Sequence, residues 1–396
     1  MRQRAAAATA AVVLASALAS GQQPTPTFRA EVNYVQLPVR ALDARGNFVR
    51  DLKASDFQVY EDGQLQTISN FRLVDFPPPN AKASPAAAAV APGLMTIEKL
   101  EQLDGRVYML LIDDYHVGLQ YSARAKDIVR GFVRDRMAAN DVAAVMITSG
   151  AKGQDFTSDK RLLLAAVDHF TGALDANEPA QIKELKARTT VKVFASVAGA
   201  LAQIRGRHKA LIYVGTSVGC RVSHEAATGI RGTDLQPGAY DDLSSAGTGA
   251  APDSNAPILC SEQTWDAARA AIQGDVSIYS IDPRGGQVPG WISPTVDGRG
   301  GPDRARERMA LVEPGRPSVF DGFYVLPDAT GGFAVTGTNA FNQALDRIVR
   351  ESSSYYLLGY SSTNDKGDGK FRKTAIKVAR SDLQVFYRSG YLARRP

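Results

Sequence analysis

The period of apolar positions along the chain changes twice. Between residues 28 and 76 it is two, the mark of half-buried strands. The run Phe28–Arg40 puts Val35, Leu37 and Val39 on one face. Phe57–Glu61 and Gln66–Val74 read as further strands, with Asp62-Gly63 as a hairpin turn after the first of them. From about residue 105 the apolar residues come in short unbroken runs instead. Val107–Ile112, Asp141–Thr148, Lys209–Gly215 and Val276–Asp282 read as strands buried on both faces. The segments between them have helical spacing. In 123–137 the apolar positions are Ala125, Ile128, Val129, Phe132, Val133 and Met137, with Ser122 as a candidate N-cap. Further helices are expected after Thr157-Ser158-Asp159, over about 179–204, over 261–272 and over 340–350. Strand and helix in alternation predict an α/β unit with a doubly wound parallel sheet. After residue 355 the period returns to two, in Tyr355–Tyr360, Phe371–Val378 and Leu383–Tyr387.

This pattern divides the chain. Residues 28–76 supply too few strands to bury a core alone. The tail, residues 355–396, supplies three more. Residues 355–391 are therefore expected to pair with residues 28–76 in a β-sandwich. Residues 77–104, rich in proline and alanine, read as a linker. The α/β unit occupies 105–354. Two stretches rich in Gly, Pro, Ser and Asp, 216–260 and 283–330, interrupt it as insertions. Both follow the carboxyl end of a strand, so both belong on one rim of the sheet, where ligands of such folds bind. Tyr355, Tyr356 and Tyr360 read as residues packing the two faces of a sheet.

The 396 residues include 46 basic and 41 acidic side chains, for a net charge of +5. The signs are mixed along the chain, with no basic stripe interleaved with aromatics, so no nucleic-acid partner is expected. Met1-Arg2-Gln3-Arg4, the alanine-rich run Ala5–Ala19 and the small-x-small pattern Ala17-Leu18-Ala19 read as a secretory signal peptide over residues 1–21, with a retained anchor as the alternative. No later segment is apolar enough to span a membrane, so the expected location is secreted, periplasmic or at the cell envelope. Cys220 and Cys260 are the two cysteines. In an oxidising compartment they would form a disulfide closing a loop of about 41 residues, stabilising by roughly 4 kcal/mol in the chain-entropy picture. Two free thiols are the alternative. Neither cysteine has the spacing of a zinc ligand.

The first buried run ends abruptly in Asp113 and Asp114, followed by His116. No glycine-rich phosphate loop and no activated serine or cysteine motif accompanies them, so no nucleotide cofactor is expected and no catalytic residue is assigned. A strand ending in Asp and opening a doubly wound sheet resembles the von Willebrand factor type A fold. The segments Thr330-Gly331-Gly332-Phe333, Ser353-Ser354-Tyr355-Tyr356-Leu357-Leu358-Gly359-Tyr360 and Tyr387-Arg388-Ser389-Gly390-Tyr391, with Asp56-Phe57 and Val59–Gly63 near the start, are similar to von Willebrand factor A-related domain proteins of the acidobacterial type. The resemblance implies a divalent-cation site built on Asp-x-Ser-x-Ser, a loop threonine and an Asp near the fourth strand. Asp113 matches the first position, but Tyr115 and Val117 replace the serines, and Val214-Gly215-Thr216-Ser217 carries no Asp. Thr171 is the candidate loop threonine. Asp114, His116, Thr216 and Ser217 are the candidate substitutes. The expected site is therefore a degenerate one, with Asp113, Asp114, Thr171 and Thr216 as candidate ligands and Mg²⁺ as the one cofactor considered.

The function these readings favour is non-enzymatic protein binding, as an adhesion or scaffold protein. A hydrolase using Asp113, Asp114 and His116, and an inert structural module of a larger complex, are the alternatives. The partner is expected to be a protein. Mature protein should begin near residues 20–22. Intact-mass analysis of envelope material checks this, and a mass that still includes Met1 would refute it.

Overall fold

The computed structural model describes residues 34–76, 95–103, 105–205, 207–223, 260–287, 319–368, 370–388 and 390–393. The expected signal segment and most of both insertions lie outside the described residues. Three layers of order follow from the two periods. A six-stranded sheet contains β5 (Val107–Ile112), β6 (Val142–Ile147), β7 (Gln154–Thr157), β8 (Lys209–Val214), β10 (Val276–Ile281) and β12 (Ala334–Val335), in the order β12-β10-β8-β5-β6-β7. Five strands run parallel, and β7 is antiparallel to β6. Helices α2 (Ser122–Asp135), α3 (Lys160–Asp168) and α7 (Phe341–Ser353) cover one face. Helices α4 (Ala180–Ala202), α5 (Ser261–Gln273) and α6 (Gly322–Thr330) cover the other, with the short α1 (Ile97–Gln102) beside them. Every residue of β5, β8 and β10 is buried, as continuous apolar runs require when both faces are covered. This is the doubly wound sheet that the alternation of runs implies.

Eight further strands form a sandwich of two four-stranded antiparallel sheets. One has the order β15-β1-β13-β4, from β1 (Tyr34–Leu42), β4 (Ile68–Asp75), β13 (Ser354–Ser361) and β15 (Gln384–Tyr387). The other has the order β16-β14-β2-β3, from β2 (Phe57–Glu61), β3 (Gln64–Gln66), β14 (Phe371–Val378) and β16 (Gly390–Leu392). Strand β13 lies between β1 and β4, with Leu37 opposite Leu358 and Phe71 opposite Leu358 on its other side. Its alternation sends Tyr356, Leu358 and Tyr360 into the sandwich core, against Leu37, Val39, Phe57 and Val59. Tyr355 and Leu357 face the other way. The hairpin between β2 and β3 turns on Asp62 and Gly63 at φ 47° and 83°, the left-handed pair of a type I′ turn. Glu61, 2% exposed, accepts hydroxyls from Tyr360, Ser362 and Tyr391 at 2.6–2.8 Å, so its buried charge is fully hydrogen-bonded.

Local structure departs from the sequence reading in several places, and helix α1 lies inside the expected linker of residues 77–104. Ser122 is the first residue of α2, not its cap, and its hydroxyl accepts the amide of Gly172 across the rim. Strand β7 is an extra edge strand, too short and polar to show a period. Helix α6 lies inside the expected second insertion. Pro327 within it reads as a breaker, yet Asp321 caps its start through the Phe323 amide and Gly331, at φ 80°, ends it. The first insertion's Arg221–Ser223 (β9) pairs with Val319–Asp321 (β11) of the second.

Buried charges join sandwich and sheet. Arg106 pairs with Asp141 at 2.9 Å and donates to Ser353 at 2.6 Å, where α7 passes into β13. Glu351 accepts both Arg40 of β1 and Arg347, each at 2.9 Å. At the amino-terminal edge of the sheet, Asp275 meets His208 at 3.2 Å. Arg388, between β15 and β16, donates to the carbonyls of Ile272, at the end of α5, and Gln36 in β1. Burial works against the charge of Asp275, but His208, Arg388 and Lys209 outweigh it and hold the carboxyl down to about 2. Its contribution to stability is thus complete above the ordinary carboxylate range and fades as pH falls toward 2. Arg388→Met keeps the volume but removes a buried donor to two carbonyls, of which that of Ile272 keeps the Asp275 amide at 3.2 Å, and should cost about 1–3 kcal/mol in all. Urea unfolding should show that loss, together with a midpoint that no longer holds as well at pH 3 as in the wild type.

Candidate functional site

The site starts from the end of β5. Its neighbours β6 and β8 stop in register at Ile147 and Val214, opposite Ile112, so the polar residues after each strand gather on one rim. Asp113 is fully buried there, and its amide donates to Val214 O at 3.0 Å. One carboxylate oxygen accepts the Tyr115 amide at 3.0 Å in a local turn. The other meets His116 Nδ1 at 2.6 Å and accepts the hydroxyl of Tyr213 from β8. Burial opposes the charge of His116, but the charge and hydrogen bond of Asp113 prevail and raise the imidazole above its ordinary value. Burial, reinforced by Asp113, pushes the Tyr213 phenol well up, so it stays a neutral donor. Thr216 closes the arrangement by donating to the His116 carbonyl.

The other candidates go elsewhere. Asp114 turns away and accepts the Ser149 amide at 3.0 Å, and burial is the main cause that raises its carboxyl above the ordinary range. Thr171 is exposed, and Thr216 uses its hydroxyl on a carbonyl. Val117 is buried in the core beneath. Asp282, at the end of β10, is buried and held by Arg284 at 2.6 Å. Among the described residues no three His, Cys, Asp or Glu side chains converge as metal ligands do. Mg²⁺ needs a near-octahedral shell of hard oxygens. Both Asp113 oxygens already serve protein donors, one Asp114 oxygen accepts the Ser149 amide and Thr216 donates to the His116 carbonyl. These residues do not fit the cation that the resemblance implies.

Three participants escape sequence reading. Tyr213 sits in a buried apolar run and counts there as core; only its hydroxyl betrays a polar role. Asp321 caps α6, accepts the Val218 amide at 3.0 Å and takes the Ser217 hydroxyl, and its charge adds to the field raising His116. Lys186 on α4 pairs with Glu178 and lies 5.4 Å over the Tyr115 ring. Cys220 and Cys260 are bonded to each other, with Cα atoms 5.5 Å apart, which anchors the strand leaving the rim. Gly219 precedes this bridge at φ 73°, and a Cβ there would stand 2.4 Å from His116 Nε2. The imidazole therefore lies against bare backbone.

A cleft of about 360 Å³ opens over this group. Tyr115, His116, Leu174, Lys183, Lys186 and Gly219 line it. Beside it Leu174, Ile182 and Leu185 are 46%, 41% and 62% exposed.

Neither a protein-family profile nor a curated protein sequence matches the chain. Similar solved structures include an aerotolerance-related membrane protein from Bacteroides fragilis NCTC 9343, at 12% identity and TM-score 0.28, covering 61% of this chain and 100% of that one. The conserved hypothetical protein BatB from Bacteroides thetaiotaomicron aligns at 13% identity and TM-score 0.31, covering 62% and 97%. Human COPII-coat protein Sec24c aligns at 8% and 0.30, covering 74% and 44%. Strand order and register, rather than likenesses this distant, define the fold.

Removing Asp113 leaves His116 and the Tyr213 hydroxyl without their buried acceptor. Asp113→Ala should cost about 3–5 kcal/mol, the usual result of breaking a buried pair. The raised imidazole binds its proton more tightly in the folded state. Its contribution is therefore complete below the ordinary histidine value and is lost as pH rises through the folded value. Thermal melts from pH 6 to 9 should show the stability gap between wild type and His116→Gln shrinking as pH rises.

Proposed function

We propose that this protein is an exported, non-enzymatic binding protein that recognises a protein partner with the carboxyl-terminal rim of its α/β unit. The observation that carries the reading is the cleft above His116, lined by the exposed Leu174 and by Lys183 and Lys186 of α4, the helix that also exposes Ile182 and Leu185. Exposed aliphatic residues grouped beside a polar cleft are the ordinary make-up of a protein-binding surface. An adhesion or scaffold role accords with it. Among the described residues no helix is long and apolar enough to cross a membrane. Envelope association or secretion is proposed from the amino-terminal sequence.

Recognition in this reading needs no divalent cation, because Asp113 has already committed its oxygens within the protein. A second reading has one observation in its favour. Asp113 and His116 form a carboxylate–imidazole pair at 2.6 Å, the orienting half of a general-base arrangement. Among the described residues, however, no serine, threonine or cysteine is hydrogen-bonded to the imidazole, so a hydrolase would have to activate water directly.

Pull-downs from envelope extract should recover the same partner with and without EDTA, and Leu185→Arg should abolish recovery without lowering the melting temperature. Calorimetry should find no Mg²⁺ or Mn²⁺ binding at micromolar affinity. Micromolar binding lost in Asp113→Ala would overturn the metal-free reading. Turnover of ester or peptide substrates lost in His116→Gln would favour the hydrolase instead.

A further inference from the structure

The edges of the sheets differ in length. Among the described residues, the outer strands β3, β7, β12, β15 and β16 have two to four residues each. Edges this short offer little for another strand to pair with. The part of β1 that β15 leaves uncovered contains Pro38, which has no amide, and the Gln36 carbonyl, which accepts Arg388. Strand β4 is the exception. It has eight residues, pairs with β13 on one side and, among the described residues, has no strand on the other.

The register fixes which backbone groups of β4 face outward. Asp75 stands opposite Ser354, and one step beyond, the Phe76 amide donates to the Ser353 carbonyl at 2.8 Å. Hydrogen-bonded pairs alternate in an antiparallel ladder, so the backbone of Val74 bonds to Tyr355 and that of Arg72 to Leu357. The amides and carbonyls of Phe71, Leu73 and Asp75 therefore point away from β13. A bulge opposite Gly359 and Tyr360 ends the regular stretch below Asn70. Phe71 is half-buried against Tyr356, with ring centroids 5.4 Å apart, and Leu73 beside it is 38% exposed. The Asp75 carboxylate is held by Arg50 at 2.7 Å and by Ser354 at 2.6 Å.

Six outward backbone groups at strand spacing, beside two accessible apolar side chains, match an extended chain and no other kind of ligand. A second copy of this chain fits badly. Antiparallel pairing of β4 with itself must set outward residues opposite outward residues. With Phe71 opposite Leu73 of the copy, Arg72 falls directly opposite Arg72, and like charges so placed are destabilising. With Leu73 opposite Leu73, Phe71 meets Asp75. With Leu73 opposite Asp75, that mismatch occurs twice, and with Asp75 opposite Asp75 two carboxylates meet. With Phe71 opposite Phe71, Leu73 meets the bulged Ser69. A strand of different sequence escapes all five conflicts.

We propose that β4 is an edge receptor for an extended segment of another protein, which pairs antiparallel with Phe71–Asp75. Two apolar residues of the segment, two positions apart, lie beside Phe71 and Leu73. The residue between them faces Arg72 and is acidic, the complementary choice for a directly opposed pair. The strand joins the sandwich sheet that already runs β15-β1-β13-β4. This surface belongs to the sandwich and does not rest on recognition by the rim.

The test is selection of a displayed random dodecapeptide library on the full protein at pH 7, with depletion on Leu73→Lys. Enriched peptides should carry two apolar residues flanking an acidic one. Reversing that acid to lysine should weaken binding at least tenfold. Leu73→Pro removes one outward amide and leaves the bonds to β13 in place, a substitution that an edge strand tolerates. It should weaken binding at least tenfold, with folding of both variants verified by circular dichroism. Bound peptide should slow amide exchange at Phe71, Leu73 and Asp75 at least tenfold and leave Arg72 and Val74 unchanged. Leu185→Arg should bind the peptides as wild type does, so the rim and the edge fail or stand separately. No enrichment, unprotected amides at the three positions, or binding lost in Leu185→Arg would overturn the edge receptor. Protection of the same amides in concentrated protein alone, with a dimer in sedimentation, would make a second copy the occupant and overturn it as well.

Discussion

The pairing of β13 on both its edges is the constraint on which the rest of this architecture depends. Helix α7 ends at Ser353 and β13 begins at Ser354, with no connecting loop. The strand then takes β1 on one side and β4 on the other, in antiparallel register. The last helix of the α/β unit therefore becomes, without a joint, the central strand of the sandwich. Neither module can rotate about a linker. The residues at the passage are arranged to match: Ser353 accepts Arg106 from the foot of β5, and Glu351 accepts Arg40 from β1. Buried ion pairs are weak sources of stability when compared with apolar packing, but they are strict about geometry. Here they set the angle at which strand follows helix.

What the sequence made legible was whatever had a period. Buried runs placed β5, β6, β8 and β10. The alternation of Tyr355, Tyr356 and Tyr360 anticipated their division between two faces, and Asp62-Gly63 marked the hairpin. What escaped had no period to show. Strand β7 has four residues, and two-stranded β9 and β11 have three each. Helix α6 carries a proline that argues locally against it, and is held by a cap and by packing of Phe323 and Leu326 in the core. Tertiary contact overrode local preference there.

The site was legible to a lesser degree, for a reason of geometry. Asp113, Asp114 and His116 could be placed at a strand end from the sequence, but the directions of their side chains could not. Asp113 and Asp114 are adjacent and point to different neighbours, one to Tyr213 and the other to Ser149. The partner that determines the chemistry of Asp113 comes from a position 100 residues away, inside a run that reads as pure core. A carboxylate has a limited number of lone pairs. A tyrosine, a histidine and an amide take three of about four, which argues against the cation chemistry that the position suggests.

The fold contains a second Asp–His pair, and the contrast shows how surroundings decide a role. Asp275 and His208 lie at the amino-terminal edge of the sheet, where Tyr355 packs against the imidazole at 5.7 Å and Arg388 and Lys209 add positive charge around the carboxylate. Tyr355 and Arg388 of the sandwich close on that pair, so its charge is absorbed in joining the modules. Asp113 and His116 lie at the opposite edge, where the sandwich does not reach. Tyr213 and Asp113 hold the imidazole from behind, and a glycine stands where a side chain would cover it. The same two residue types thus act as a weld at one pole and as part of a cleft lining at the other. A rigid passage from α7 into β13 keeps the first pair closed. At the rim the described residues leave a cleft over the second.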